Sequence, residues 1–223
     1  MLDQAIAIDG HYGPALSWAA ICHMRLVNDG WAEAPKTSHG EATALARQAL
    51  QVGQSDPGTL VNAAQVLAYF GEDIDAMIGS VDRALTLNPG FARGWHRSGV
   101  LRVWAGQPDL AIEHVETALR LGPREPVGTH LGVMGMAFLF KRRFGEAVAK
   151  LLMSIQDHPG FPNSYRALAA CYAHMGWLDE ARTIIARLRA ITPLVVPSDL
   201  PLRNPEDREL YLSGLRLAAG EQT

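Results

Sequence analysis

The sequence has few cysteines, no long apolar run and no block of basic residues. Cys22 and Cys171 lie far apart, each inside an apolar helical pattern, which predicts buried, reduced thiols in a cytoplasmic protein rather than a disulfide framework. The longest apolar run, residues 133–140, is much shorter than the roughly 20 residues that a membrane-spanning helix needs. The N-terminus lacks the basic-then-apolar layout of a signal peptide. With a net charge of −3 and interspersed acids and bases, we expect neither membrane nor nucleic-acid binding.

A periodic placement of proline divides most of the chain into similar segments. Pro89, Pro123, Pro159 and Pro193 are separated by 34, 36 and 34 residues. Each proline follows an apolar stretch with helical spacing, and proline ends a helix because it lacks a backbone N–H donor and its ring clashes with the preceding turn. The spacing predicts a helix–turn–helix unit of about 34 residues that repeats along the chain.

Bulky and small residues recur at fixed offsets within these units. The recurring positions are Trp95, Gly99, Ala111 and Ala118 in one unit and Leu131, Gly135, Ala147 and Ser154 in the next. The pattern resembles the tetratricopeptide repeat. This resemblance implies an all-α fold, a right-handed alpha-alpha superhelix of about five helical hairpins with a C-terminal capping helix. The predicted segments are a truncated helix at 1–9, repeats at about 14–54, 57–89, 92–123, 126–159 and 162–193, and a linker with the capping helix at 194–223.

The periodicity stops after Pro193. Pro197 and Pro201 predict an extended segment over the surface. Asn204 and Pro205 then form a helix start, because an asparagine side chain caps free N–H groups and proline fits the first turn. We expect the following helix to cover the apolar face of the last hairpin, since a solenoid otherwise exposes its terminal stacking surface.

Two regions depart from the repeat pattern. An insertion at about residues 31–40 separates the two helices of the first repeat, and it is too long for an ordinary hairpin turn. We expect its Trp31 to fold back over a hydrophobic edge of the protein. The alternative is that Trp31 contacts a binding partner. The first nine residues look like the last turns of an amphipathic helix, so we expect the chain to be a fragment of a larger protein.

No catalytic signature is present in the sequence. There is no phosphate-binding glycine loop, no nucleophile elbow and no metal-protease histidine pair. The acids at residues 72–75 suit a helix-start cap better than a divalent metal ion, and the eight histidines form no cluster in sequence. We therefore expect no catalytic residues, no metal and no cofactor, and we expect this chain not to be an enzyme.

The first helices of the hairpins carry the candidate binding residues. In a solenoid of helical hairpins these helices line a concave groove that receives a peptide or a helix. Tyr69, Trp104, Phe140 and His174 occupy one aligned position, and they either edge this groove or pack between hairpins. The full candidate set is Tyr69, Arg93, His96, Arg97, Val100, Trp104, Met136, Phe140, Asn163, Arg166 and His174. The expected partner is a protein or peptide segment in the groove.

The two ends of the chain carry a further resemblance. Residues 197–208 and 211–218, together with residues 9–12, look like the C-terminal tetratricopeptide region of bacterial class III adenylate cyclase-like proteins. This resemblance implies a regulatory interaction region of a signalling protein whose catalytic residues lie outside these 223 residues.

Three alternatives stay open at the level of sequence. Bacterial transcriptional regulators also carry such repeats, so the parent protein can belong to that class instead. A helical enzyme or small-ligand receptor would use the polar residues around Arg93, His96 and Arg97, and it predicts a closed pocket with converging ionisable groups. The repeats can also serve self-association, which would make the chain a homodimer.

Overall fold

The computed structural model describes residues 1–221, which form twelve α-helices and no β-strand. The chain divides into two compact units, Met1–Leu101 (unit 1) and Arg102–Thr223 (unit 2). The helices are α1 Leu2–Ile8, α2 Gly13–Asn28, α3 Pro35–Val52, α4 Pro57–Tyr69, α5 Ile74–Leu87, α6 Ala92–Trp104, α7 Pro108–Leu121, α8 Gly128–Phe140, α9 Phe144–Asp157, α10 Pro162–His174, α11 Leu178–Arg189 and α12 Pro205–Ala219. None of the helices within the described residues is long and apolar enough to cross a membrane.

Unit 1 is built from helical hairpins packed through small side chains. Helix α2 pairs with α3, α4 pairs with α5, and both α2 and α3 contact α4. Ala20, Ala46 and Ala63 are fully buried in the shared core with Leu16 and Val66. Alanine at these positions lets the helix backbones approach closely, and the larger apolar side chains then fill the remaining space.

Carboxylate side chains cap the N-termini of two helices of unit 1. Asp56 accepts a hydrogen bond from the Thr59 backbone N–H at 2.7 Å at the start of α4, and Asp73 accepts one from Ala76 at 2.9 Å at the start of α5. Each satisfies an N–H group that the first helical turn leaves without an intrahelical partner. The interpretation of residues 72–75 as a helix cap is therefore confirmed.

The insertion in the first repeat is mostly helical, which corrects the expectation of a long loop. Helix α3 begins at Pro35, so residues 35–40 extend that helix and only a short connection follows α2. Proline favours the first helical turn because its fixed φ suits the helix and its missing N–H is not needed there. Trp31 is 54% exposed, so about half of its surface faces solvent, and its packing over a hydrophobic edge stays a prediction.

Unit 2 repeats the hairpin arrangement around a larger apolar core. Helix α8 pairs with α9 and α10 pairs with α11, and α10 packs mainly on α9 of the preceding hairpin. Gly135 of α8 faces the side chain of Leu151 in α9, where a Cβ atom would lie 2.5 Å from Leu151 Cγ. Leu139, Leu151 and Leu168 are fully buried in this core.

The C-terminal helix begins where the sequence predicts. The Asn204 side chain accepts hydrogen bonds from the N–H groups of Glu206, at 2.8 Å, and Asp207, and Pro205 is the first helical residue. Helix α12 packs mainly on α10, the first helix of the last hairpin, and makes a smaller contact with α11. In contrast, α10 packs mainly on α9, the second helix of the hairpin before it. Helix α12 therefore covers the side of unit 2 that its first helices form, and it does not continue the stack of hairpins.

Candidate binding surface

The first helices of the hairpins in unit 1 are α2, α4 and the unit 1 part of α6, and we call the surface that they form the first-helix face of unit 1. On this face the side chain of Arg93 lies over an aromatic ring. The guanidinium carbon of Arg93 lies 5.0 Å from the centre of the Trp18 ring and 5.2 Å from that of Phe91. Its Nη2 also passes α4 at Gly58, where a Cβ atom would stand 3.3 Å away. The arginine side chain thereby spans from α6 to α2, held by cation–π attraction.

Arg97 and Arg25 extend this positive charge into a cluster. Burial first, and then the positive charges of Arg93 and Arg25, lower the pKa of Arg97 to about 10. The Nε atoms of Arg93 and Arg97 are inaccessible to solvent and have no hydrogen-bond acceptor. We call Arg25, Arg93 and Arg97 the arginine cluster.

Negative charge is scarce at the arginine cluster. Arg25 makes one long ion pair with Asp29, at 3.8 Å. Among the described residues, no carboxylate lies within ion-pairing distance of Arg93 or Arg97. Asp56, which lies beside Gly58, is engaged in capping α4. Arg97 is thus buried with no carboxylate in an ion pair, while the Asp56 carboxylate lies near Arg93 without forming an ion pair with it.

The other predicted residues of unit 1 are less accessible. His96 and Val100 are buried, with 7% and 9% of their surface exposed, and they form part of the packed side of α6. Tyr69 is half-buried and contacts Phe70 edge-on, with ring centres 5.0 Å apart. Arg93 and Arg97 are therefore the predicted residues of this unit that offer a charged surface to a partner.

Sequence reasoning missed Trp18 and Arg25, although a signal for Arg25 was present. Aligning Leu16 with Leu60 places Arg25 at the position of Tyr69, in the row of aligned residues proposed for the groove. The approach of Arg93 to Trp18 links α6 to α2, two hairpins earlier, and no spacing within one repeat predicts such a contact.

The two cysteines differ in environment, which corrects one expectation. Cys171 is fully buried, and burial raises the pKa of its thiol to about 12. Cys22 is exposed instead of buried. It aligns with the buried Val66 and Cys171, which pack against a preceding hairpin, whereas only the short helix α1 precedes α2.

We expect one thiol of the native protein to react with Ellman's reagent and the second to react only after unfolding. Cys22 is accessible, whereas Cys171 is both shielded and held in its unreactive protonated form. The measurement is a thiol titration before and after addition of guanidinium chloride. A Cys22→Ser variant should show no fast-reacting thiol, and two fast-reacting thiols in the native wild type would contradict the assignment.

The first-helix face of unit 2 is covered by the chain itself. Its predicted residues are Trp104, Met136, Phe140, Asn163, Arg166 and His174. Residues 194–219, which we call the C-terminal segment, lie over this face. Only 9% of the Phe140 surface and 1% of the Arg166 surface remain exposed, and Trp104 and Met136 pack against the same apolar core as Leu202 and Leu215.

Three hydrogen bonds fix the C-terminal segment to three points of this face. Arg166 Nη2 donates to the Leu194 carbonyl oxygen at 2.6 Å, while Nη1 of the same side chain donates to Asn163 at 2.8 Å. The backbone N–H of Arg203 donates to the Trp104 carbonyl oxygen at 2.7 Å. His174 Nε2 lies 2.7 Å from the Leu210 carbonyl oxygen. The segment is thereby held by main-chain atoms at residues 194, 203 and 210.

A shallow depression of about 370 Å³ lies where α12 meets α10 and the turn after α8. Arg142, His174, Glu206 and Glu209 contribute its ionisable groups, but His174 is already engaged with the Leu210 carbonyl. Burial and the neighbouring Glu206 raise the pKa of Asp207, and the charge of Arg142 opposes this rise. Within the described residues, no group of three or more His, Cys, Asp or Glu side chains is arranged to hold a metal ion.

Solved structures with the same fold identify the architecture. A chain of the APC/C hetero-tetramer Cut9–Hcn1 superposes on 96% of this chain with a TM-score of 0.64 and 18% identity. TTC0263, a thermophilic TPR protein of Thermus thermophilus, covers 88% of this chain with a TM-score of 0.62 and 21% identity, and the match spans 98% of its own length. The fold is that of the tetratricopeptide repeat. The predicted all-α superhelix class is thereby confirmed.

A third solved structure that matches is MamA 41-end from Desulfovibrio magneticus RS-1, with a TM-score of 0.53 and 16% identity over 78% of this chain and 94% of its own length. The chain spans 38% of the length of the Cut9–Hcn1 chain that it matches. Neither a protein-family model nor a curated protein matches the sequence. At these identities the tetratricopeptide likeness concerns the fold, while the assignment of residues to individual repeats stays a prediction.

Proposed function

We propose that this chain is a protein-interaction module that binds an acidic segment of a partner protein on the first-helix face of unit 1. The observation that carries the proposal is the arginine cluster, in which Arg93 and Arg97 have buried Nε–H donors and no carboxylate partner. Removing a charge from water without a counter-ion is costly, and a bound carboxylate restores both the charge balance and the missing acceptors.

The chemistry of arginine favours a carboxylate-bearing ligand. A guanidinium group presents a planar set of donors that matches a carboxylate in a two-point contact. Arg93 is already oriented by the Trp18 ring, so part of the side-chain entropy is lost before binding. A peptide with aspartate or glutamate side chains would contact the cluster while its apolar groups pack against Trp18, which is 36% exposed.

We propose further that the module regulates a bacterial adenylate cyclase-like signalling protein in the cytoplasm. This finer proposal rests on the resemblance of residues 9–12, 197–208 and 211–218 to that class. A transcriptional regulator is the alternative parent. Sequencing the gene upstream of this region decides between them, because the first parent requires a class III cyclase domain and the second a DNA-binding domain.

Binding of poly-L-glutamate tests the interaction site directly. We expect Arg93→Gln/Arg97→Gln to weaken the binding of a fluorescent poly-L-glutamate by about tenfold, since two charged contacts are lost while side-chain length is kept. The measurement is fluorescence anisotropy at two salt concentrations, which separates local contacts from long-range attraction.

The matched control is Arg83→Gln/Arg189→Gln, which removes the same charge from exposed positions on second helices. This variant should bind the polymer nearly as well as the wild type. Equal weakening by both variants, or no binding by the wild type, would reject the arginine cluster as the site. Complete displacement of the polymer by inorganic phosphate would reassign the cluster to phosphate and remove the acidic-peptide proposal.

A further inference from the structure

A row of residues runs along α4 from the point where Arg93 crosses that helix. Gly58, Asn62 and Gln65 are spaced four and three residues apart, so they share one side of α4. A Cβ atom on Gly58 would stand 3.3 Å from Arg93 Nη2, which places the arginine on this side. Asn62 also reaches α2, where its Nδ2 atom lies 3.4 Å from Ser17 Oγ. We call Asn62 and Gln65 the amide pair.

The side-chain carbonyl oxygens of the amide pair have no hydrogen-bond donor. Asn62 is fully buried and Gln65 is 6% exposed. Within the part of the chain that the structure describes, neither Asn62 Oδ1 nor Gln65 Oε1 meets a donor. A buried oxygen that has lost its water and found no donor is costly, so a ligand N–H at this position is stabilising. Gln65 has the longer side chain of the two, and rotation of that side chain turns its amide toward a bound ligand.

The arginine cluster and the amide pair require opposite hydrogen-bonding groups from one ligand. Arg97 has a buried Nε–H without an acceptor, which a carboxylate supplies, whereas the amide pair needs N–H donors. An extended acidic peptide carries both, because its side chains end in carboxylates and its backbone N–H groups are free. In an α-helix the backbone N–H groups beyond the first turn are bonded within the helix, so a helical peptide lacks these donors.

We propose that the acidic segment bound by unit 1 is extended rather than helical, and that Gln65 accepts a hydrogen bond from its backbone. This inference rests on the proposed function of the arginine cluster and adds the conformation of the ligand. Gly58, where Arg93 crosses, and Gln65 are about 10 Å apart along α4, since a helix rises about 1.5 Å per residue. About three extended residues cover that distance, so one short stretch of ligand reaches both groups.

Gln65→Met tests the hydrogen bond, because methionine keeps the length of the side chain and removes its oxygen. The first probe is a fluorescent hexapeptide of alternating glutamate and alanine. The second probe replaces each alanine by lactate, so that an ester oxygen stands where a backbone N–H was. We expect Gln65→Met to weaken the binding of the first probe about fivefold in fluorescence anisotropy and to leave that of the second unchanged.

Gln51→Met is the matched control for this variant. Gln51 is exposed on α3, a second helix, so its replacement should leave the binding of both probes as in the wild type. Circular dichroism checks that both variants are folded. Equal weakening of the two probes by Gln65→Met would attribute the effect to packing and overturn the proposed backbone contact.

A helical probe of the same charge supplies the second arm. A hydrocarbon-stapled helical peptide with the same number of glutamates should bind the wild type at least about fivefold more weakly than the first probe. Tight binding of the helical probe, or an effect of Arg93→Gln/Arg97→Gln without any effect of Gln65→Met, would overturn the extended conformation and leave the interaction site in place. If the arginine variant binds the first probe as the wild type does, the proposed function itself fails.

Discussion

Replacing Arg166 by alanine is expected to lower the free energy of unfolding by about 3 kcal/mol, because two charge-assisted hydrogen bonds are lost inside unit 2. The Arg166 side chain is 1% exposed and donates to both Asn163 and the Leu194 carbonyl. Its removal leaves the half-buried Leu194 carbonyl without a donor and a cavity where the alkyl chain packed. The measurement is urea unfolding followed by circular dichroism.

An exposed arginine of the same unit provides the control. Arg182 pairs with Asp179 on the surface of α11, where the two side chains are 60% and 94% exposed. Solvent screens such a pair, so Arg182→Ala should change the free energy of unfolding by less than about 0.5 kcal/mol. A comparable loss in the two variants would show that Arg166 does not hold the C-terminal segment.

Gly214→Ala is expected to destabilise the protein by about 2 kcal/mol, although alanine favours helices more than glycine does. The added methyl group would lie 2.8 Å from His174 Nε2 and 2.9 Å from the Ala170 Cα and Cβ atoms. Two of these three contacts are with atoms on or next to the backbone of α10, so α12 must move outward. Thermal unfolding monitored by circular dichroism measures the change.

Replacing glycine by alanine should stabilise the protein where the added methyl group meets no other atom. Gly79 lies inside α5, and a Cβ atom there would meet nothing within 4 Å. Gly79→Ala should raise the free energy of unfolding by about 0.5–1 kcal/mol, because it gains helix propensity and removes freedom from the unfolded chain. Stabilisation by both substitutions would mean that α12 does not pack against α10 as described.

Local signals in the sequence predicted the helices of this protein well. The repeated prolines and small residues indicated the hairpins. Residues 72–75 and Asn204 were recognised as helix starts, and the structure assigns the first cap to Asp73. Residues 35–40 were expected to form part of a long loop because residues 31–40 exceed the length of an ordinary hairpin turn, yet α3 begins at Pro35. Proline at the start of α3 was the overlooked signal.

The surfaces of the protein were harder to predict than its helices. Periodicity showed that α12 has an apolar side, but it does not specify the neighbour against which that side packs. Aligned positions also share a helical face without sharing exposure. Arg25 is exposed, whereas Phe140 of the same row is buried. Exposure depends on the element that lies on top, and that element comes from a distant part of the chain.

The C-terminal segment follows in sequence every helix that it covers. Ribosomes add about 5–20 residues per second, so residues 194–219 take about 1–5 s to synthesise after α11 is complete. During those seconds the faces of α8 and α10 have emerged or are emerging without their cover. Apolar surface is open to other proteins in this period, and chaperone occupancy of ribosome-bound chains should therefore be highest in that interval.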